Sequence, residues 1–281
     1  MSQSNGSGNP FHGLWALTNR DLKKWYKEPF QLFISILQPI LWMGLFGKAM
    51  NIGAIFASNP NIPPQLAQML MTKTFGTSDY FSYMAVGMLS FVSLFTTMFS
   101  GMSIVWDRRF GVLDKILSTP VSRSVIVFSK LLNATIRSMI QAGIVLIIAV
   151  ALGLQFGPSF APINIVGVFA ITFLICIGLS SVFLMIGIRS TRWETQMAVM
   201  NLLNLPLMFS SNSLFPISTM PDWLQIVAKL NPLTYASDGI RQLLVYQMDA
   251  TQLLADFTYL GVFAVVFATI GIVLSWKFLN K

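Results

Sequence analysis

The chain is 281 residues long, 54% apolar and only 10% charged, with a mean hydropathy of +0.68; a soluble domain carries about 25% charged residues. These figures exclude a soluble globule and a disordered chain, and they predict an integral membrane protein. The net charge of +8 would suggest nucleic acid in a soluble protein, but here the charges lie between apolar runs, which points to the membrane and away from a nucleic-acid partner.

In chain order, residues 1–10 are polar and rich in Gly and Ser, with no basic-then-apolar leader, and predict a disordered cytoplasmic tail. Residues 11–29 predict an amphipathic helix. Phe11, Leu14, Trp15, Thr18, Leu22, Trp25 and Tyr26 recur at three- and four-residue spacing, with Arg20, Lys23 and Lys24 mostly off that stripe. Such a helix lies in the membrane interface with its aromatics among the headgroups. It is either a plain anchor or a lever that also touches a cytoplasmic partner, with Trp15, Arg20, Lys23 and Trp25 as the lever residues. From 30 to 276 the chain reads as a six-span domain. Charge-poor segments fall at about 30–49, 80–106, 131–154, 163–188, 197–216 and 256–276, each near the ~20 residues a spanning helix needs. Pro158 and Pro162 break the long uncharged run between the third and fourth.

Orientation follows from Lys and Arg. Thirteen of them fall on the side that receives the N-terminal segment, and four (Lys48, Lys73, Lys229 and Arg241) fall on the other. This predicts a multi-pass plasma-membrane protein with both termini in the cytoplasm. The cytoplasmic loop 107–123 carries Asp107, Arg108, Arg109 and Phe110, then Gly111, then a short amphipathic stretch with Leu113, Asp114, Ile116 and Leu117. An apolar edge on so short a helix suits a socket in a soluble partner; a solvated connector is the plainer alternative. Asp107 and Asp114 are expected to pair with basic groups on that partner, and Arg108 and Arg109 to face lipid headgroups. Residues 217–246 predict an outer re-entrant hairpin. Pro221 and Trp223 open its first half, and Asn231, a good N-cap, precedes Pro232 at the start of the second, which carries Tyr235, Asp238 and Arg241.

Catalysis finds no purchase. His12 and Cys176 are the only residues of their kinds, there is no phosphate-binding G-x-x-x-x-G-K-[ST] segment, and no acidic residue is expected deep inside a span. The chain is predicted to be no enzyme and to hold no cofactor of its own, so its energy source lies elsewhere. Candidate pathway residues are Met88, Ser93 and Thr97 in the second span, Asn201 and Asn204 in the fifth, and Arg137 in the third. Each has a plainer reading: small-residue helix packing, inter-helix hydrogen bonding, or snorkelling to the interface.

Three segments together resemble the membrane-spanning subunit of ABC exporters of the type-2 permease family, which includes daunorubicin-resistance-like and polysaccharide-export permeases. They are Asp107-Arg-Arg-Phe-Gly-Val-Leu-Asp-Lys-Ile-Leu-Ser-Thr-Pro-Val-Ser-Arg, Leu214-Phe-Pro-Ile-Ser-Thr-Met-Pro-Asp-Trp-Leu and Asn231-Pro-Leu-Thr-Tyr-Ala-Ser-Asp-Gly-Ile-Arg. Val112 stands where the family usually has Thr, and Asp114 where it has Glu. The resemblance implies a half-transporter. Two permease chains pair, each bound to a separate ATP-binding cassette subunit that carries ATP and magnesium, and the loop from Asp107 is the coupling helix seated in that subunit. It implies export of a hydrophobic or amphiphilic substrate such as a drug, lipid or lipid-linked glycan. An ion-translocating or channel-like subunit, or a membrane scaffold without transport, is the alternative.

Overall fold

In a computed structural model, residues 10–49, 63–77, 79–119, 121–190 and 192–278 are described, and all their regular structure is helical. The expected tail over 1–9 lies outside the described residues. The elements are α1 (Pro10–Tyr26), α2 (Pro29–Trp42), α3 (Pro64–Phe75), α4 (Tyr80–Arg109), α5 (Val112–Leu117) and α6 (Arg123–Ala151). They continue with α7 (Asn164–Arg189), α8 (Trp193–Phe209), α9 (Asp222–Leu230), α10 (Pro232–Leu244) and α11 (Ala250–Phe278). Four helices among the described residues are long and apolar enough to cross a membrane, and α4, α6, α7 and α11 supply them. The expected first and fifth spans are shorter and carry proline. α2 contains Pro39 and passes into a π-helical stretch, Met43–Ala49, and α8 has 17 residues with Pro206 inside it. A proline within a helix removes one backbone hydrogen bond and crowds the preceding turn.

The core is built around α4. Asp79 caps its start, accepting from the backbone amides of Phe81 (3.2 Å) and Ser82 (3.0 Å). Almost every residue from Tyr80 to Val105 is buried. It packs on α6, α7, α8 and α10, while α11 covers the other side of α7. Small residues set the closeness of α4 and α7. A methyl group at Gly101 would lie 2.3 Å from the Phe183 carbonyl, and one at Gly187 would lie 2.4 Å from the Gly101 carbonyl. Backbone-to-backbone contact of this kind stands in for the hydrophobic effect, which is weak between helices in lipid. α11 leaves Leu254, Val262, Val265 and Val273 exposed, as suits a helix against lipid or a neighbouring subunit.

α6 begins at Arg123, eight residues before the expected span, and runs through Lys130. The helix tolerates that charge because it is paired, as described next. α11 likewise begins at Ala250, so Asp256 lies inside the helix and not at its edge.

Candidate coupling junction and transport cavity

At the end of the bundle formed by α1, α5 and the C-terminus of α4, four charged side chains meet. The Lys130 ammonium of α6 is 2.7 Å from Asp21 Oδ2 of α1 and also donates to Asp107 Oδ2 of α4. The Arg20 guanidinium lies 2.7 Å from Asp21 Oδ1 and 3.3 Å from Asp107 Oδ2. Charges leave water at a cost of several kcal/mol each unless paired, and here two of each sign compensate. Burial alone would raise the Asp21 carboxyl, but Lys130 and then Arg20 outweigh it and hold the group below its usual range. The junction ties α1, α4 and α6 into one unit.

This geometry corrects the reading of the loop from Asp107. Asp107 is buried and paired within the chain, so it is not free for a partner's basic groups. Leu113 and Ile116 are buried and join the main core, so the apolar edge of α5 is satisfied internally. Arg108 does not reach lipid headgroups. It donates to the carbonyls of Ile188 (2.9 Å) and Ser190 (3.0 Å), capping the C-terminus of α7. Gly111 adopts φ +65°, the left-handed turn that aims α5 back at the bundle. Leu117 is half-buried. What remains outward is Arg109, Phe110, Asp114 and Lys115, with Phe110 73% exposed. Sequence reasoning missed this division because an amphipathic stretch shows that an edge will be covered, and not by what.

The stripe on α1 also splits. Thr18 and Trp25 are buried, whereas Phe11, Trp15 and Tyr26 are exposed, as is Lys23. α1 packs on α6. Trp25 therefore does not sit among headgroups; its ring lies 5.3 Å from the Arg137 guanidinium.

Further into the bundle, a cavity of about 270 Å³ opens between α2, α4, α6 and α8. Phe91, Phe95, Phe99 and Met197 make its apolar wall, and Arg137, Gln141 and Asn201 are polar groups in it. Gln141 Nε2 donates to Ser35 Oγ at 2.6 Å, and the Thr96 hydroxyl donates to Gln141 Oε1. Arg137 Nε has no hydrogen-bond partner among the described residues. Of the candidate pathway residues, Arg137 and Asn201 line this space. Met88, Ser93 and Thr97 are buried in helix packing, where Thr97 Oγ1 donates to the Ser93 carbonyl at 2.7 Å and the Ser93 hydroxyl to the Leu89 carbonyl at 3.1 Å. Asn204 is buried outside the cavity, and its Oδ1 has no hydrogen-bond partner among the described residues. Thr96 and Ser35 were missed, since a hydroxyl in an apolar run gives no sign of which helix it faces.

At the opposite end, α9 and α10 form the hairpin. Asn231 Oδ1 accepts from the Leu233 amide at 3.0 Å, and its Nδ2 donates to the Leu207 carbonyl (2.6 Å) and Ser210 Oγ (3.0 Å). The cap thus pins α10, which Pro232 begins, to the end of α8. Arg241 is wholly buried, contrary to its count as a loop charge. It donates to the carbonyls of Tyr83 (3.2 Å) and Ser213 (2.8 Å), and its guanidinium stacks 3.6 Å from the Tyr83 ring centre. Tyr235 stacks on Tyr259 at 3.8 Å and donates to the Lys229 carbonyl at 2.7 Å. Pro221 and Trp223 are exposed, and Asp238 accepts from Gln242 Nε2 at 3.2 Å.

The segment that holds both the junction and the hairpin, residues 12–245, matches the family model described as ABC-2 type transporter. The chain belongs to the ABC-2 type transporter family. Among curated relatives, a putative transport permease, ycf38, of Cyanophora paradoxa is 33% identical over 229 residues, covering 81% of this chain and 72% of the relative. The ycf38 permease of Porphyra purpurea is 35% identical over 228 residues, 80% and 72% of the two chains. The daunorubicin resistance ABC transporter permease protein DrrB1 of Streptomyces coeruleorubidus is 22% identical over 216 residues, 77% and 69%. As an ABC-2 family member the chain is a membrane permease subunit of an ABC transporter, and permeases of this family work with ATP-binding cassette subunits.

Proposed function

We propose that two copies of this chain pair in the plasma membrane, each bound to a separate ATP-binding cassette subunit that carries ATP and magnesium, and that the assembly exports a hydrophobic or amphiphilic substrate. In this reading each chain spans the membrane six times with both termini cytoplasmic, α2 with its π-helical extension and α8 being the two short spans. The hairpin α9–α10 closes the outer end. α5 and the exposed end of α4 meet the ATP-binding subunit through Arg109, Phe110, Asp114 and Lys115. Motion of that subunit passes to the spans through the residues beneath: Asp107, Arg108, Gly111, Leu113, Ile116 and Leu117. α1 serves as the lever, with Arg20 and Trp25 fixed inward and Trp15 and Lys23 outward. Drug, lipid and lipid-linked glycan all suit the aromatic wall, and Arg137 and Asn201 mark where a polar or acidic head would pass.

The observation that carries this reading is the four-charge junction. It joins the coupling segment to α1 and α6, yet leaves Phe110 exposed. Exposing a phenylalanine forgoes about 1.5–3 kcal/mol that its burial would supply, and a docking surface supplies that burial. The test is co-purification with the ATP-binding subunit. Phe110→Asp should lose that subunit while the permease stays folded and membrane-inserted, and Thr119→Ala, at the trailing end of α5, should retain it. Retention of the subunit by both Phe110→Asp and Phe110→Asp with Lys115→Glu sinks the proposed contact.

A further inference from the structure

A second cavity, of about 310 Å³, lies where α10 and α11 meet below the hairpin, and Asn212, Thr234, Tyr235, Asp238 and Asp256 line it. Asp256 is wholly buried on α11. Its Oδ2 accepts from Gln242 Nε2 at 3.2 Å, and the same amide donates to Asp238 Oδ2 at 3.2 Å. Gln252 Nε2 lies 3.5 Å from Asp256 Oδ1. Neither carboxylate forms a salt bridge among the described residues, whereas Asp21 and Asp107 at the other end of the molecule each contact two cations. Asp256 meets only amides and the Asp238 carboxyl, so the acidic pair has no cationic side chain among these partners to balance its charge.

The neutral groups in the same wall point the same way. Asn212 and Thr234 are each more than nine-tenths buried, and Asn212 Oδ1 and Thr234 Oγ1 have no hydrogen-bond partner among the described residues. Both line the cavity. Thr234 and Asp238 are four apart on α10 and so share one face. Gly239, next along, brings α10 close to both neighbours: a methyl there would lie 3.5 Å from Asp256 Oδ2 of α11 and 2.8 Å from Ile171 of α7.

We propose that this cavity binds a divalent cation through oxygen, with Asp238 and Asp256 as the charged ligands and Asn212 Oδ1 and Thr234 Oγ1 as neutral ones. Two carboxylates balance one divalent charge. Calcium takes about 6–8 oxygens, water included, at roughly 2.3–2.6 Å, and the volume leaves room for the waters that complete the set. The ligands come from three places: the stretch after α8, α10 and α11. A bound cation therefore clamps the hairpin to α11 and makes its position depend on divalent cations on that side of the membrane. Lys229, exposed at the rim, is the one cationic side chain lining the cavity among the described residues, and it opposes binding.

The experiment uses the purified full chain in detergent, stripped with chelator and titrated with calcium chloride and separately with magnesium chloride. One calcium per chain should bind saturably and raise the melting temperature. Asp238→Asn and Asp256→Asn should each weaken binding at least tenfold, and Lys229→Ala should tighten it. In the absence of metal, Asp256→Asn should melt no lower than the wild type, because the amide keeps the carboxyl's shape; this arm shows that the variant folds. No saturable binding of either divalent ion at millimolar concentration overturns the proposal. So does unchanged calcium affinity in the Asp238→Asn, Asp256→Asn double variant, or stabilisation by sodium in place of calcium.

Discussion

Replacing Lys130 by methionine removes the one ammonium that touches both Asp21 and Asp107. The Lys130 side chain is 4% exposed and the two carboxylates 11% and 8%, so neither recovers much hydration when the lysine is gone. Arg20 cannot take over the role. It is 30% exposed and reaches Asp107 only at 3.3 Å. Breaking a buried pair by deleting one partner costs about 3–5 kcal/mol, and Lys130→Met should fall in that range by denaturant unfolding of the purified chain. Neutralising the three most buried members, with Asp21→Asn and Asp107→Asn added, should recover most of the loss, because the one charge left, Arg20, is 30% exposed and reaches water. The ATP-binding subunit bound to the neutralised variant should nevertheless hydrolyse ATP without moving substrate, since α1 and the coupling segment no longer move as one body. A Lys130→Met variant within about 0.5 kcal/mol of wild type, the size of an ordinary surface substitution, would refute the argument.

Gly87→Ala should prevent stable folding, because its methyl would sit 1.9 Å from the Ser213 carbonyl, whereas Gly261→Ala, with open space around it, should be neutral or slightly stabilising; size-exclusion profiles and melting curves separate the two. Asn231→Ala should cost about 1 kcal/mol for the lost cap and more for its bonds to Leu207 and Ser210, read as a lower melting temperature with normal membrane insertion. In a Cys176→Ser background, a cysteine at Asp222 should react with an impermeant thiol reagent from outside intact cells and one at Ser118 only after the inner face is opened. Labelling at position 118 from outside would contradict six spans with both ends inside.

The long helices were legible because a membrane imposes a simple requirement. The charge-poor segments overlie α4, α6, α7 and α11. Where a charge lies inside a helix, the sequence misleads. The expected third span stops one residue short of Lys130, whose partners stand 23 and 109 residues away, a pairing no local pattern reports. Arg241 counted as a loop cation for the same reason, its acceptors being the backbone carbonyls of Tyr83 and Ser213. Asp256 looked like a span boundary, yet it is buried where α11 packs against α10, with Gln242 of α10 as a partner. The cap at Asn231 was legible because N-caps act within three residues. Leu113 and Ile116 were rightly read as an edge that needs cover, but the cover is the chain's own core.

The central claim is that this permease moves substrate outward on energy supplied by a separate subunit. Inside-out membrane vesicles containing the chain and its ATP-binding subunit, loaded outside with a fluorescent amphiphile, test it directly. Uptake into the vesicle lumen should require ATP and magnesium, and should be lost without the ATP-binding subunit and in Phe110→Asp. Equal uptake by vesicles that contain the permease alone would contradict it and assign the chain to the channel-like class.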